Sequence, residues 1–257
     1  IDSLELQAWG MHWDDIVDQG MVEANYAFEA GDTIITLGGR YMQQFDQGAG
    51  DIIKPKDASS IYSAGAVTAT SPTGGNAKVR FKGDSDNRVD TYMYALRTVV
   101  NYGASKLLLA YSHTDGEGDL IAPWRGFPTD GYTRSMTQTD WNANTKSYKA
   151  QFDYDFNTLI SGFSALVSYS YYNRDTTKIG YQGQTQRYYG NGDTHQWNID
   201  GLYKVASIKG LELKARYMIQ NNDVVGQNIA GNSGGPSEGI KNDTSNNELR
   251  LEANYRF

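Results

Sequence analysis

Residues 248–257 read Glu-Leu-Arg-Leu-Glu-Ala-Asn-Tyr-Arg-Phe and alternate polar and apolar side chains without a break. A β-strand sends successive side chains to opposite faces, so this stretch predicts a strand with one hydrophilic and one apolar face. Residues 147–156 repeat the alternation perfectly, and residues 211–220 are broken only by Met218. A protein wall between lipid and water is expected to alternate in this way.

Composition excludes several other classes of protein. The chain has 257 residues, of which 39% are hydrophobic, and a mean hydropathy of -0.60. No run approaches the roughly 18 apolar residues of a membrane-spanning helix. The net charge of -7 argues against a nucleic-acid partner, since such proteins usually present a basic face. The chain opens on Ile1-Asp2-Ser3-Leu4, already strand-like, so we expect a removed leader or a longer parent protein.

Ten strands are predicted when the chain is followed backward from Phe257. The predicted spans are 2–10, 19–29, 33–45, 89–103, 104–115, 144–156, 162–174, 195–205, 210–222 and 246–257. Short turns near 29–33, 103–105, 157–161 and 206–210 alternate with longer connections at 46–88, 116–143, 175–194 and 223–245 and with a modest one at 11–18. Transmembrane barrels place short turns in the periplasm and long loops outside. The sequence therefore predicts an all-β, antiparallel transmembrane barrel.

Aromatic residues are concentrated near the ends of the predicted strands. Tyr26, Tyr154 and Tyr255 lie at one end, whereas Tyr41, Tyr111 and Tyr217 lie towards the other. Amphipathic rings favour both boundaries between water and lipid, so these residues predict two girdles.

Several stretches resemble the OprD-type outer-membrane porins. They are Leu4-Glu5-Leu6-Gln7-Ala8-Trp9, Ala24-Asn25-Tyr26, Gly39-Arg40-Tyr41, Phe45-Asp46-Gln47-Gly48, Leu109-Ala110-Tyr111-Ser112, His195-Gln196-Trp197-Asn198-Ile199-Asp200, residues 209–217 and Asn247-Glu248-Leu249-Arg250-Leu251. The terminal Tyr255-Arg256-Phe257 is similar to the signal that directs barrel insertion. The resemblance implies an 18-stranded barrel of which this chain is the C-terminal part. A complete ten-stranded barrel stays open, although small barrels fill their interiors with side chains.

The resemblance also implies a ladder of basic residues that guides carboxylate-bearing solutes. On the inward positions of the alternation, the basic candidates are Arg40, Arg97, Lys149, Lys214, Arg216 and Arg250, and the acidic candidates are Asp153, Asp200, Glu212, Glu248 and Glu252. Charges on the lipid face would cost about 2–4 kcal/mol each at mid-depth, which favours the inward assignment. Alternatively, Glu212 and Glu248 pair with Arg250 and Lys214 and only brace the wall.

The connection 116–143 corresponds, by the same resemblance, to the loop that folds into the channel. Its Pro123, Trp124 and Arg125 are candidates for narrowing the passage, and a plain surface loop is the alternative. Asp115, Glu117 and Asp119 alternate at its start and form a weak calcium candidate, because the downstream bidentate Glu of a calcium loop is missing. We expect no cofactor.

Two other functional classes remain open at this point. His12 beside Asp14 and Asp15 suggests a water-activating site on the barrel rim, but no nucleophile elbow, zinc motif or phosphate loop supports an enzyme. A soluble all-β carbohydrate-binding protein would have a buried apolar face and no aromatic girdles. The expected partners of a porin are outer-membrane lipid and small hydrophilic solutes, and a homotrimer stays open.

Overall fold

The computed structural model describes residues 3–48, 66–70, 76–80, 90–121, 130–136, 140–175, 193–223 and 245–256, with 66–70 and 76–80 described by their backbone alone. Within these ranges the regular structure is entirely strand. The strands are β1 (Ser3–Trp13), β2 (Val17–Ala30), β3 (Thr33–Asp46), β4 (Ala66–Thr70), β5 (Asn76–Arg80), β6 (Thr91–Tyr102), β7 (Ser105–Thr114), β8 (Lys146–Asp155), β9 (Phe163–Asn173), β10 (Thr194–Lys204), β11 (Leu211–Asn222) and β12 (Asn246–Tyr255). None of the described residues forms a helix long and apolar enough to cross a membrane.

Ten of these strands form one antiparallel sheet in which every strand pairs with the next along the chain. The order is β1-β2-β3-β6-β7-β8-β9-β10-β11-β12, so the ten strands predicted from the alternation are confirmed. β1 and β12 are the two edges of the sheet. Among the described residues they do not pair with each other, so the closed ten-stranded barrel is not formed.

The first hairpin is longer than the sequence predicts. The sequence predicts a connection at 11–18, but the backbone pairing continues to Trp13 opposite Val17. Only three residues turn the chain, with Asp15 at a positive φ of 57° and the Ile16 amide donating to the Trp13 carbonyl. Backbone hydrogen bonds thus extended the strands beyond the side-chain pattern.

A second difference lies inside the predicted loop 46–88. Residues 66–70 pair with residues 76–80 as a separate two-stranded sheet. The pairing involves five residues on each side, half the length of the ten-residue windows on which the strand prediction rests.

The long strands have two chemically distinct faces. We call the apolar face the side that carries Phe152, Tyr217 and Leu249, which are 44%, 40% and 61% exposed. The polar face is the opposite side, which carries Glu23, Arg40 and the side chains in register with them. The sheet therefore leaves its apolar side chains uncovered, as a wall in contact with lipid requires.

The core of the described chain lies on the polar face, beneath the connection between β7 and β8. Met21, Met42 and Met93 are neighbours on three adjacent strands, and Leu120 of the connection packs on them. Trp141 completes this cluster from the other end of the same connection. The described residues 115–121, 130–136 and 140–145, which we call the β7–β8 loop, thus lie on the polar face of the sheet.

Candidate channel wall and loop

Strand register gives the positions of the predicted charged residues. Arg40 lies opposite Glu23 and Ala95, and Arg97 lies in one row with Gly38, Ala110 and Lys149. The same alternation puts all six basic and five acidic candidates on the polar face: Arg40, Arg97, Lys149, Lys214, Arg216, Arg250, Asp153, Asp200, Glu212, Glu248 and Glu252.

Glu23 gathers the first two of these arginines into one cluster. Its carboxylate accepts a hydrogen bond from Arg40 Nε at 2.6 Å and lies 3.3 Å from Arg97 Nη2. Asn25, two residues along β2, accepts from Arg97 Nη2 at 2.7 Å and donates to Glu23 at 2.8 Å. The Glu23 side chain is only 4% exposed, so its charge needs these partners.

Gly38 makes this cluster sterically possible. Arg97 lies on β6, yet its partners Glu23 and Asn25 lie on β2, so its side chain must cross β3. A Cβ at Gly38 would lie 2.8 Å from Arg97 Cγ and 2.5 Å from Asn25 Oδ1. The missing side chain therefore opens the path for Arg97, as glycine inside a strand often does for a close approach.

Tyr132 of the β7–β8 loop covers both arginines. The guanidinium carbons of Arg97 and Arg40 lie 4.3 Å and 5.1 Å from the centre of its ring. Both distances fall within the range of cation–π attraction, worth about 0.5–2 kcal/mol each. Burial raises the pKa of Tyr132 to about 12, so its phenol stays neutral. Arg40 also donates to the backbone carbonyl of Asp130.

The start of the loop is fixed by two glutamines. Gln19 Nε2 donates to the Ile121 carbonyl at 2.6 Å and to Gln44 Oε1 at 2.7 Å. Gln44 in turn accepts from the Ile121 amide at 2.8 Å and donates to the Asp119 carbonyl. These contacts satisfy loop backbone groups that the polar face would otherwise bury without partners.

Asp140 fixes the later part of the loop to β7. Its buried carboxylate accepts hydrogen bonds from Ser112 Oγ, from Thr133 Oγ1 at 3.2 Å and from the Gly131 amide at 3.4 Å. Its backbone carbonyl accepts from Thr114 Oγ1. Residues 131, 133 and 140 are therefore joined at one point of the wall.

A third group of contacts reaches the strands on the other side. The Tyr172 hydroxyl donates to the Thr133 carbonyl at 2.7 Å, and Ser135 Oγ donates to Gln196 Oε1 at 2.9 Å. Lys149 Nζ donates to the Arg134 carbonyl at 2.9 Å. The loop is therefore bonded to strands from β2 to β10 and lies across the polar face.

Between this loop and the polar face lies an open cavity of about 430 Å³. Most of the charged side chains in its lining are basic, since Arg134, Lys149, Arg216 and Arg250 are present with Asp200 as the acidic member. Neutral polar groups such as Ser168 and Asn198 complete the wall. The cavity can hold a small molecule with an anionic group near several cations and hydrogen-bonding partners.

The charge pairs next to the cavity differ from those proposed for a braced wall. Asp200 is the shared counter-ion, 2.9 Å from Arg216 Nε and 3.7 Å from Lys214 Nζ. Arg250 pairs with Glu248 of its own strand. The wall is therefore braced by pairs other than those expected from Glu212 and Glu248 to Arg250 and Lys214. Among the described residues, the partners of the β11 cations are Asp200 on β10 and Glu252 on β12, which lies 3.9 Å from Arg216 Nη1.

Of the remaining sequence candidates, Pro123, Trp124 and Arg125 lie outside the described residues. The calcium candidate is not supported by its geometry. Asp119 Oδ1 accepts the Ala143 amide at 2.6 Å, whereas Asp115 accepts the Glu117 amide. Across the described ranges, no three His, Cys, Asp or Glu side chains are placed to hold a metal ion.

His12 lies on the apolar face at the outer end of the first hairpin. Its Nδ1 lies 2.6 Å from Asp18 Oδ1, across the hairpin, and its Nε2 is 3.9 Å from Asp14. The expected partnership with both Asp14 and Asp15 is thus replaced mainly by Asp18, because the continued β1–β2 pairing puts His12 opposite it.

Aromatic rings of the apolar face contact one another towards both ends of the strands, where the two girdles are predicted. Towards the outer end, ring centres of Tyr111 and Tyr148 are 5.1 Å apart, and those of Tyr148 and Tyr171 are 6.2 Å apart. His195 continues this row at 4.7 Å from Tyr171. At the periplasmic end, Tyr154 and Phe156 are separated by 4.7 Å.

Sequence reasoning missed the residues that the loop contributes. Tyr132, Thr133 and Asp140 belong to no periodic pattern, and their partners lie on strands far away in the chain. One available signal was the pair Gly38-Gly39 inside a predicted strand, because interior glycines mark close approach of other groups.

Together these features define the chain as a membrane-facing β-wall with a polar inner side and an inserted loop. The family model for the outer membrane porins of the OprD family matches residues 1–257, and the chain belongs to that family. No curated protein matches it by sequence.

Solved structures show the same fold. The chain is similar to OprD from Pseudomonas aeruginosa, with 19% identity, a TM-score of 0.66, and coverage of 99% of this chain and 56% of that one. It is similar to Pseudomonas aeruginosa OpdK, solved with vanillate, with 16% identity, a TM-score of 0.65 and coverage of 98% and 51%. It is also similar to Acinetobacter baumannii OccAB3, with 18% identity, a TM-score of 0.64 and coverage of 98% and 51%. The chain thus spans about half the length of these relatives.

These comparisons decide between the functional classes. The family consists of outer-membrane porins, so the location is the outer membrane of a Gram-negative bacterium and the apolar face contacts its lipid. The interpretations as a rim enzyme and as a soluble binding protein are not favoured.

Proposed function

We propose that this chain supplies the wall and the constricting loop of a passive channel for small hydrophilic solutes that carry a carboxylate. The observation that carries the proposal is the cavity of about 430 Å³ lined by Arg134, Lys149, Arg216 and Arg250. Cations along a narrow aqueous path attract anionic solutes and raise their local concentration.

The acidic side chains favour weak binding over tight binding. Arg216 lies 2.9 Å from Asp200 and 3.9 Å from Glu252, and Glu248 contacts Arg250, so both arginines already have carboxylate partners. To bind these arginines, a solute carboxylate must displace the carboxylates of the protein that already contact them. Passage requires binding that is strong enough for entry and weak enough for release.

One structural relative was solved with a solute of this class. OpdK was solved with vanillate, which is an aromatic carboxylate. At 16% identity this likeness concerns the fold, so the solute class for this chain rests on its own basic cavity. The β7–β8 loop narrows the path beside that cavity.

Planar-bilayer recording of the full-length protein tests the proposal. We expect discrete conductance steps, a reversal potential in a salt gradient that indicates anion preference, and a reduction of current by benzoate. Benzyl alcohol, which has a similar ring without the charge, is the matched control and should leave the current unchanged. Cation preference with equal effects of both compounds would exclude a carboxylate channel.

The oligomeric state is a separate prediction. The homotrimer left open by the sequence would cover part of the apolar face, where Leu249 and Leu251 are exposed. Molecular mass in detergent, measured by light scattering, separates a trimer from a monomer. A monomeric mass would contradict the trimer without affecting the channel proposal.

A further inference from the structure

Tyr132 joins the β7–β8 loop to two cations of the wall through its ring face. Arg97 and Arg40 approach the ring to 4.3 Å and 5.1 Å, and Arg40 also bonds the neighbouring Asp130 carbonyl. Residues 130–133 therefore contact the wall next to the point where Asp140 joins the loop to β7.

The two arginines under this ring differ from those around the cavity. Arg40 is 15% exposed and Arg97 is 28% exposed, and both are bonded to Glu23 on the wall side. Tyr132 lies on the other side of the same guanidinium groups. Neither arginine lines the cavity of about 430 Å³, whose cations are Arg134, Lys149, Arg216 and Arg250.

We propose that Tyr132 is a positioning residue that sets the width of the passage by holding the β7–β8 loop on Arg40 and Arg97. Arg40 and Arg97 then determine the position of the loop, whereas the cations of the cavity attract solutes of negative charge. The effect of Tyr132 on the width of the passage rests on the proposed channel function. Docking of the loop on the wall can be measured even if the protein forms no conducting channel.

The chain offers a clean reporter for loop docking because it contains no cysteine. Ala95 is fully buried on the polar face and lies in register between Arg40 and Ser112, two residues that the loop contacts. Ala95→Cys introduces a thiol of similar size there. A bulky maleimide reaches this thiol only when the loop lifts from the wall.

A second reporter lies near the Tyr172 contact. Ser147 is fully buried and lies opposite both Ser112 and Tyr172. Within the described residues its hydroxyl has no hydrogen-bond partner, so Ser147→Cys breaks no bond. The two reporters distinguish local lifting near Tyr132 from lifting of the whole loop.

Removing the hydroxyl group should affect the labelling rate differently at Tyr132 and at Tyr172. At Tyr132 the ring face carries the contact, so Tyr132→Phe should leave the labelling rate of Ala95→Cys unchanged, while Tyr132→Leu should accelerate it about tenfold. At Tyr172 the hydroxyl bonds the Thr133 carbonyl, so Tyr172→Phe should accelerate labelling of Ser147→Cys. Circular dichroism confirms that each variant keeps its strand content.

Bilayer recording separates width from charge. Arg97→Gln should raise conductance more than Arg250→Gln, and Arg250→Gln should shift the reversal potential more than Arg97→Gln. Equal labelling rates for Tyr132→Leu and the parent, or a larger reversal-potential shift for Arg97→Gln, would overturn the positioning role. If no variant conducts, the channel function fails, while the labelling rates still decide whether Tyr132 positions the loop.

Discussion

Arg216 and Arg250 lie directly opposite each other at paired positions of β11 and β12. Like charges at opposed positions of a sheet repel, unless other groups draw them apart. Here Asp200 on one side bonds Arg216 at 2.9 Å, and Glu248 contacts Arg250 along its own strand. The two guanidinium groups therefore belong to one cavity but to different ion pairs.

Neutralising either arginine should weaken the preference for anions. We expect Arg216→Gln and Arg250→Gln to shift the reversal potential towards cation selectivity, with a larger shift in the double variant, because each removes a positive charge from the cavity lining. Reversal potentials in a salt gradient measure this. Lys146→Gln, on the opposite face at the end of β8, is the matched control and should leave selectivity unchanged.

Removing the counter-ion should have the opposite electrical effect and a cost in stability. Asp200 has only 7% of its side chain exposed and serves both Arg216 and Lys214. Asp200→Asn should increase anion preference and destabilise the protein by about 1–3 kcal/mol, since cations lose a buried partner. Urea unfolding measures the cost. The double variant with Arg216→Gln should lose less than the sum of the single changes, and additive losses would contradict the pairing.

Gly131 is a position where a single methyl group should lift the β7–β8 loop. A Cβ there would lie 2.3 Å from Asp140 Oδ2 and 2.7 Å from Ser112 Cβ, so Gly131→Ala must displace the loop from β7. We expect a higher single-channel conductance. Gly39→Ala is the control, because its Cβ would meet only Leu96 at 3.7 Å, and its conductance should stay parental.

A charged side chain should destabilise the folded protein more on the apolar face than on the polar face. Leu251 is 74% exposed on the apolar face, in register with Ala215 near the middle of the wall. Leu251→Lys should reduce the stability of the folded protein in lipid by about 2–4 kcal/mol. Folding into vesicles at increasing urea measures this. Glu252→Gln, the neighbouring polar-face position, should cost less, and equal costs would contradict the assignment of the faces.

Docking of the β7–β8 loop should strengthen in acid through Asp130. Burial raises the pKa of the Asp130 carboxyl above its ordinary value, although Arg134 at 2.5 Å opposes this. The docked loop thus binds a proton more tightly than the free loop, so the cost of the buried charge disappears as the pH falls through the raised pKa. Labelling of Ala95→Cys, relative to a thiol at the exposed Leu159, should slow on acidification. Asp130→Asn should remove this pH dependence.

The sequence predicted the strands because their environment repeats. Residues 147–156 and 248–257 alternate because every second side chain faces lipid and the side chains between them face a polar space. The first hairpin shows the limit of this signal, because Gly10 and Gly20 carry no side chain to alternate, yet their backbones pair.

The sequence by itself determined which side chains share a face, since the two-residue period of a strand is a local property of the backbone. It therefore placed Arg216, Arg250 and Leu249 on their sides of the sheet. Only the tertiary structure decided which charges meet. Arg97 reaches Glu23 over Gly38, and Tyr132 covers both arginines, because the register of three strands and the fold of a long loop bring together residues that are far apart in the chain.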